Sequence, residues 1–307
     1  MKIQNTILTI SLLFVWMNSF SQINMDDSTA QVITYWDKGE KQSYFVSLEK
    51  YKIKGTDTTS RELINYDVDI TVLDSSAKSY TIEWVYKNMS SNNPDSVMQK
   101  IMNISKDMRV VFKIDETGSF LEVVNWKEVQ NFIKEACKAL SKEYESLPNM
   151  SKFISQIEAT YSSKAAIESA SIKDILQFHS FHGAKYRLGE ELTGQLKVPN
   201  LFGSEPFDAD ITVSLDEINE EDNDIVIRSW QEINKEQFRS AAINYLKKMA
   251  NSLEIKQPEQ DFGKDLGNEI VTTSKIHGSG WVLFSIQTIT ISLDSVKNIE
   301  ERIIELK

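Results

Sequence analysis

A seven-residue phrase occurs twice in this chain, and in both places it alternates. Tyr66-Asp67-Val68-Asp69-Ile70-Thr71-Val72 returns as Phe207-Asp208-Ala209-Asp210-Ile211-Thr212-Val213, with five of the seven positions identical. Successive side chains of a strand point to opposite faces. Each copy therefore sets four apolar residues on one side and Asp-x-Asp-x-Thr on the other, which is the pattern of a half-buried strand. The surroundings also correspond. Each copy follows a Gly-Glu turn, Gly39-Glu40 or Gly189-Glu190. Each precedes an apolar strand with a Trp, at 80–86 or 225–230, and then a helix-like stretch ending Lys100-Ile101-Met102 or Lys247-Lys248-Met249. The same elements in the same order predict two similar β-rich repeats, so that residues 31–125 should superpose on 180–293.

The N-terminus reads as a targeting signal. Lys2 is followed by an almost wholly apolar run from Ile7 to Met17, and Ser19-Phe20-Ser21 gives the small-x-small pattern before Gln22. This predicts a secretory signal peptide over residues 1–21, cleaved after Ser21. The apolar run is short for a membrane span, and no Cys follows the cleavage site to carry a lipid. The mature chain is expected to be periplasmic or secreted, with no integral membrane span.

Net charge is −11, and removing the signal, which carries one Lys and no acid, makes it −12. No basic cluster interrupts this field, so nucleic acid is not an expected partner. The single cysteine, Cys137, rules out an internal disulfide. It sits among Val129, Phe132, Ile133, Ala136 and Leu140 at helical spacing, as a small core residue would. Stability must come from a core that a chain of this length can supply.

Strand patterns fill the first half. Tyr44, Val46 and Leu48 alternate with Phe45, Ser47 and Glu49, and Tyr80, Ile82, Trp84 and Tyr86 repeat the pattern after a turn at Asp74-Ser75-Ser76. A short helix is predicted near 94–103, then a hairpin over 109–125. The middle is helical: 126–146 with Asn125 as N-cap, 151–161, and 164–178. Strands resume near Lys185, a helix spans 235–252, and the last strands are 269–275 and 281–293. The tail from Ser295 to Lys307 fits a strand or a helix. The expected organisation is a signal peptide (1–21), a first β-rich repeat plus helix (22–147), a helical connector (148–179) and a second β-rich repeat (180–307). Strands adjacent in sequence imply antiparallel pairing, so the fold class is α+β: curved antiparallel sheet packed against helices. In this pattern the chain resembles the exported half-barrel lipoprotein carriers of bacteria, although none of their diagnostic motifs is present. In its Ser19-Phe20-Ser21-Gln22 signal end and in Gly280-Trp281 it is also similar to uncharacterised exported proteins of Gram-negative bacteria.

Three groups of residues are candidates for chemistry. Asp67 and Asp69, and likewise Asp208 and Asp210, lie about 6.6 Å apart on one face of a strand. If the repeats meet about a pseudo-twofold axis, four carboxylates gather, fit to bind Ca²⁺ or to do acid–base work. The plainer reading makes them the wet side of two strands. His179 and His182 share one helical face and could pair on a metal, or dock a departing helix on the core together with Phe178 and Phe181. Tyr44, Tyr66, Tyr80, Trp84, Phe112 and Phe207 take inward strand positions, where they either line a cavity for an apolar ligand or fill the core. The acidic run 216–224 is expected as a hairpin loop.

Gly-x-Ser-x-Gly, His-Glu-x-x-His and phosphate-loop motifs are absent, and no cofactor is expected. The chain reads as an exported, non-enzymatic binding protein that takes an apolar small molecule or an envelope protein partner. A hydrolase using paired carboxylates and a purely structural envelope protein are the alternatives.

Overall fold

Eleven strands lie side by side, all antiparallel, in one open sheet of the computed structural model, which describes residues 23–95, 99–100, 107–146, 150–200, 205–253, 263 and 265–307. The signal peptide lies outside the described residues, as does most of the helix expected at 94–103. Two short strands, β1 (Ile23–Asn24) and β2 (Thr29–Gln31), begin the described chain. A meander follows: β3 (Lys41–Lys54), β4 (Asp57–Ser76), β5 (Ser79–Ser91), β6 (Arg109–Asp115) and β7 (Phe120–Val123). Four helices come next, α1 (Trp126–Glu143), α2 (Met150–Thr160), α3 (Lys164–Ala170) and α4 (Lys173–Phe178). The short β8 (Lys185–Arg187) pairs with β2, closing a small three-stranded sheet. The second meander is β9 (Glu191–Val198), β10 (Phe207–Asn219), β11 (Asp224–Ile233), β12 (Gly267–His277), β13 (Val282–Leu293) and β14 (Val296–Leu306). Helix α5 (Lys235–Leu253) interrupts it after β11. No helix among the described residues is long and apolar enough to cross a membrane.

The strand order is β7-β6-β5-β4-β3-β14-β13-β12-β11-β10-β9. Every neighbour within each meander is adjacent in sequence, and the last strand returns to pair with the first long one. One face carries the helices. On it Tyr66, Val68, Ile70 and Val72 of β4 are buried, while Asp67, Asp69 and Thr71 point the other way. β10 repeats the arrangement with Phe207 and Ala209 buried and Ile211 and Val213 half-buried. Helices α1 to α4 press Val129, Ile133, Leu140, Ile167, Ile175 and Phe178 onto the β3–β7 end. Trp84, Tyr44 and Phe112 lie fully buried beneath them. Burying a purely apolar side chain such as Phe112 stabilises the fold by about 1.5–3 kcal/mol. Helix α5 builds a second, smaller core from Phe238, Phe207, Ala209, Ile233 and Leu266 at the other end.

The uncovered face is polar and laced with cross-strand ion pairs, among them Lys87–Asp69, Arg61–Glu49 and Arg109–Glu83. Each is exposed and stabilises by only about 0.2–1 kcal/mol. They also place charge along a wide sheet face, which resists stacking against other chains.

Three local expectations are revised and one left open is decided. Residues 32–36, whose run Val32-Ile33-Thr34-Tyr35-Trp36 reads as a strand by its β-branched and aromatic composition, instead form irregular chain, held by Val32 N–H to Ala184 O and Tyr35 N–H to Ser279 O. The 164–178 stretch breaks into two helices, and Ser171 Oγ at the break donates to Thr160 O at 3.3 Å. The tail is a strand, β14, in the middle of the sheet. Asn125 does not cap α1 with its side chain. Its Oδ1 instead accepts from Val111 N–H at 2.7 Å, and its Nδ2 donates to Arg109 O at 3.0 Å, fastening the start of the helix to β6.

That role distinguishes Asn125 from an ordinary cap. Asn125→Ser keeps a good N-cap residue but reaches neither backbone partner, so it should cost about 1–3 kcal/mol, as Asn125→Ala does. Urea unfolding of both variants measures this; a neutral Ser variant would restore the capping reading.

Candidate functional site

Across β4, β3, β14, β13 and β12 the register aligns residues of the helix-covered face into rows. The first row is Tyr66, Val46, Ile304, Ser285 and Ser274. The second is Ile64, Leu48, Arg302, Gln287 and Thr272. The third is Glu62, Lys50, Glu300, Ile289 and Ile270, and the fourth is Ser60, Lys52, Asn298, Ile291 and Asn268. Polarity changes in two directions here. Burial falls from the first row to the last, and in the last two rows the charges sit on β4, β3 and β14 while the isoleucines sit on β13 and β12.

Helix α4 ends its cover at the second row through a buried polar clamp. Asp174 accepts from Tyr66 Oη and Tyr86 Oη, each at 3.0 Å, and from the Ile175 N–H at 3.0 Å. Burial, and then the Asp174 charge, push both phenols well above their usual range, so both stay protonated as donors. Gln177 Nε2 donates to Ser285 Oγ at 3.0 Å and to Arg302 O at 3.2 Å. The buried Arg302 guanidinium donates to Glu300 Oε1 at 3.0 Å. A buried charge costs several kcal/mol unless it is paired, so these partners hold α4 in one position.

Past the clamp, the third and fourth rows floor a trough of about 580 Å³, lined by Lys50, Lys52, Ser60, Glu62, Asn93, Asn298, Glu300, Ile289 and Ile291. Glu300 is its hub, with Lys173 Nζ at 3.8 Å and Lys50 Nζ at 3.9 Å besides Arg302. Glu62 accepts from Asn93 Nδ2 at 3.1 Å. Ile291 continues into the core beneath α5. A second trough of about 490 Å³ at the foot of α5 is polar, lined by Glu232, Lys235, Asp265, Asn268, Glu269 and Lys297 among others.

The two histidines lie elsewhere, in an aromatic cluster at the buried end of the sheet. Trp36 stacks on Trp281 with ring centroids 4.0 Å apart, and the imidazoles of His179 and His182 are 5.0 Å apart beside Phe178. His179 Nδ1 meets Gly118 O at 2.9 Å, and His182 Nε2 meets Gly280 O at 2.8 Å. Both bonds require the imidazole N–H to donate, which fixes each tautomer. The approach depends on glycine: a Cβ on Gly118 would meet His182 at 2.6 Å, and one on Gly280 would meet Ile33 O at 2.4 Å. Burial pushes His179 well below its usual range and His182 down to about 4. Among the described residues no group of three metal-binding side chains forms, so the pair is placed as core.

The sequence candidates distribute as follows. Tyr44, Tyr66, Trp84, Phe112 and Phe207 are buried in packed core and Tyr80 packs against it. None of the six lines either trough. Asp67, Asp69 and Asp210 are on the face away from the helices, while Asp208 accepts from Gln237 Nε2 at the start of α5 at 2.7 Å; the two pairs are on strands six places apart in the sheet order. They do not gather. Asp67 pairs with Lys307 at 2.6 Å, Asp69 with Lys87, Asp208 with Lys197 at 2.5 Å, and Asp210 accepts from Gln195 at 3.0 Å. Hydrogen bonds and charge from these lysines hold the carboxyls of Asp69 and Asp208 below their usual range. The four carboxylates therefore do not share one concave site. Cys137 is buried, and its thiol is pushed up by burial. The acidic run forms the β10–β11 hairpin, with Asp224 buried against Lys275 at 2.9 Å. Lys50, Lys173, Glu300 and Arg302 were not singled out by sequence reasoning. One signal was present: the face that carries Tyr44, Val46 and Leu48 continues as Lys50 and Lys52, marking where the cover ends.

No family model matches the sequence, and no curated protein matches it. Two solved structures are similar in part. Lipovitellin, described for its lipid–protein interactions, aligns over 88% of this chain with a TM-score of 0.41 and 10% identity. The chain spans 25% of that protein's length. A Bacteroides fragilis protein described as exported, with a YmcC-like fold, aligns over 91% of this chain and 100% of its own at a TM-score of 0.25 and 8% identity. Neither likeness is close enough to carry a functional argument.

The histidine cluster gives a pH prediction. In the unfolded chain His182 titrates near 6.5, and in the folded chain near 4. Between those values the unfolded state binds more protons, so stability is fully present above pH 6.5 and declines as pH falls through the window. His182 alone should cost about 2 kcal/mol at pH 5 relative to pH 7.5. Urea unfolding of wild type and His182→Gln at both pH values tests it. Equal pH dependence in the two proteins would show that His182 is not the cause.

Proposed function

We propose that this is an exported binding protein that holds an apolar small molecule in the trough beside α4. The observation that supports it is the trough itself. Its volume of about 580 Å³ is that of a ligand site, and its floor carries Ile289 and Ile291 where the helical cover stops. A sheet this wide buries its apolar face under helices at both ends, and the strip between α4 and α5 still bears half-buried isoleucines. Signal-directed export rests on the reading of residues 1–21. The two β-rich halves are taken as copies of one unit. In each, a glycine with positive φ, Gly39 or Gly189, donates its N–H to the carbonyl of Val72 or Leu215 on the strand that carries the repeated phrase.

A second reading, docking of an envelope protein partner, draws on the opposite face. Trp230 is 54% exposed there, next to Val271 in register, with Phe45 also exposed three strands beyond Val271. Trp230→Ser leaves the trough untouched, so it separates the readings: it abolishes partner capture and spares ligand binding.

The ligand reading predicts that lipid extraction and mass spectrometry of protein purified without detergent recovers an apolar molecule. It also predicts that the delipidated protein binds N-phenyl-1-naphthylamine with a rise in fluorescence. Ile291→Trp, which fills the floor, should weaken that binding by roughly tenfold, about 1.4 kcal/mol. Clean protein that also fails to bind the probe would end this reading.

A further inference from the structure

We infer that the trough is built for an anionic amphiphile, its headgroup beside Lys50, Lys52 and Lys173 and its apolar tail across Ile289 and Ile291; this rests on the ligand reading above. The charge distribution is the argument. Around the hub, Lys50, Lys173 and Arg302 all approach the single carboxylate of Glu300 within 4.0 Å. Lys52 follows Lys50 on the same face, in register with Ser60 and Asn298 rather than with an acid. Glu62 is the other carboxylate lining the trough. Lys50, Lys52 and Arg61 line the trough with the carboxylates of Glu62 and Glu300; Arg61 is paired with Glu49, and Lys173 of α4 and the buried Arg302 reach Glu300 from beside the lining, in a protein whose net charge is −11. Lysines gathered here against the overall negative field attract an anion into this spot.

The second half of the argument is direction. In the third and fourth rows the cations stand on β3 and Glu300 on β14, and the isoleucines stand on β13 and β12. Neighbouring strands are about 4.8 Å apart, so a headgroup over β3 has its tail over β13 within about 10 Å. The tail then runs toward the core under α5, which Ile291 and Leu293 border. Carboxylate and phosphate headgroups share the required chemistry. Lysine ammonium groups are compact point charges that serve either.

The test compares ligands with one tail and different heads on the delipidated full-length mature protein, below their critical micelle concentrations. Oleate should bind roughly tenfold tighter than oleyl alcohol in about 50 mM salt, and the gap should close in about 500 mM salt. Lys50→Gln combined with Lys173→Gln should lose that advantage for oleate and leave oleyl alcohol unchanged. Both lysines are about half exposed, at 46% and 45%, so the variant should fold, which circular dichroism checks. Oleoyl lysophosphatidate binding tighter than oleate would assign a phosphate head; the reverse order would assign a carboxylate. Equal affinity of wild type for oleate and oleyl alcohol overturns the headgroup inference and leaves the apolar reading standing. Oleate binding undiminished in the double variant also overturns it. If neither ligand binds, the apolar reading fails and this inference with it.

Discussion

The pairing of β14 with β3 is the constraint on which the rest of the molecule depends. It joins two meanders that are otherwise separate in sequence into one eleven-stranded sheet. Without it each half would present a long open edge, which is a site for uncontrolled pairing. With it, β14 becomes a central strand and its side chains are forced into register with those of β3 and β13. Arg302 is placed under α4 by that register, and Glu300 is placed at the head of the trough.

The clamp and the trough are therefore one feature seen from two sides. Asp174, Gln177 and Arg302 are buried polar groups that stay buried because each has a partner from a different element, Tyr66 for Asp174, Ser285 for Gln177 and Gln177 for Arg302. Such a network stabilises little compared with an apolar core of the same shape, but it admits one geometry. It stops α4 at a defined row of the sheet. The rows beyond keep their charges and isoleucines in view, and that is where the candidate site arises. The histidine cluster does similar work at the other end: two neutral imidazoles tie the β6–β7 turn and the β12–β13 turn to the helix end.

Much of the fold was legible in the alternation. The faces of β3, β4 and β5 were readable because Tyr44, Tyr66 and Trp84 recur at period two, and burial on one side selects that register strongly. Helix α1 was readable from the spacing of Val129, Ile133, Cys137 and Leu140, all of which are buried. Asn125 misled because Asn before a helix is usually a cap, whereas its side chain is bound by the backbone of β6, more than ten residues away in the chain. The acidic pairs looked like chemistry because two carboxylates at i and i+2 do share a face. Which face, and how far from the other pair, depends on strand order across the whole sheet. The aromatic residues drew attention by size, but size is what a packed core selects. The residues of the trough are lysines, asparagines and isoleucines of no unusual local pattern, and they come chiefly from β3 and β4 and from β13 and β14, two pairs far apart in the chain.

By itself the sequence determined the local elements and the sidedness of most strands, since period-two alternation and helical spacing are properties of neighbouring residues. It determined the prevalence of antiparallel pairing, because short turns between sequential strands allow no other. It did not determine the state of residues 295–307, whose charged and apolar positions fit either period. Tertiary structure decided that segment: as β14 it finds hydrogen-bond partners on both sides and counter-groups for Arg302, which no isolated helix would supply. It also decided the site. Lys50, Lys173 and Glu300 are far apart in the chain, and only the pairing of β3 with β14 and the packing of α4 bring both ammonium groups within 4.0 Å of the Glu300 carboxylate.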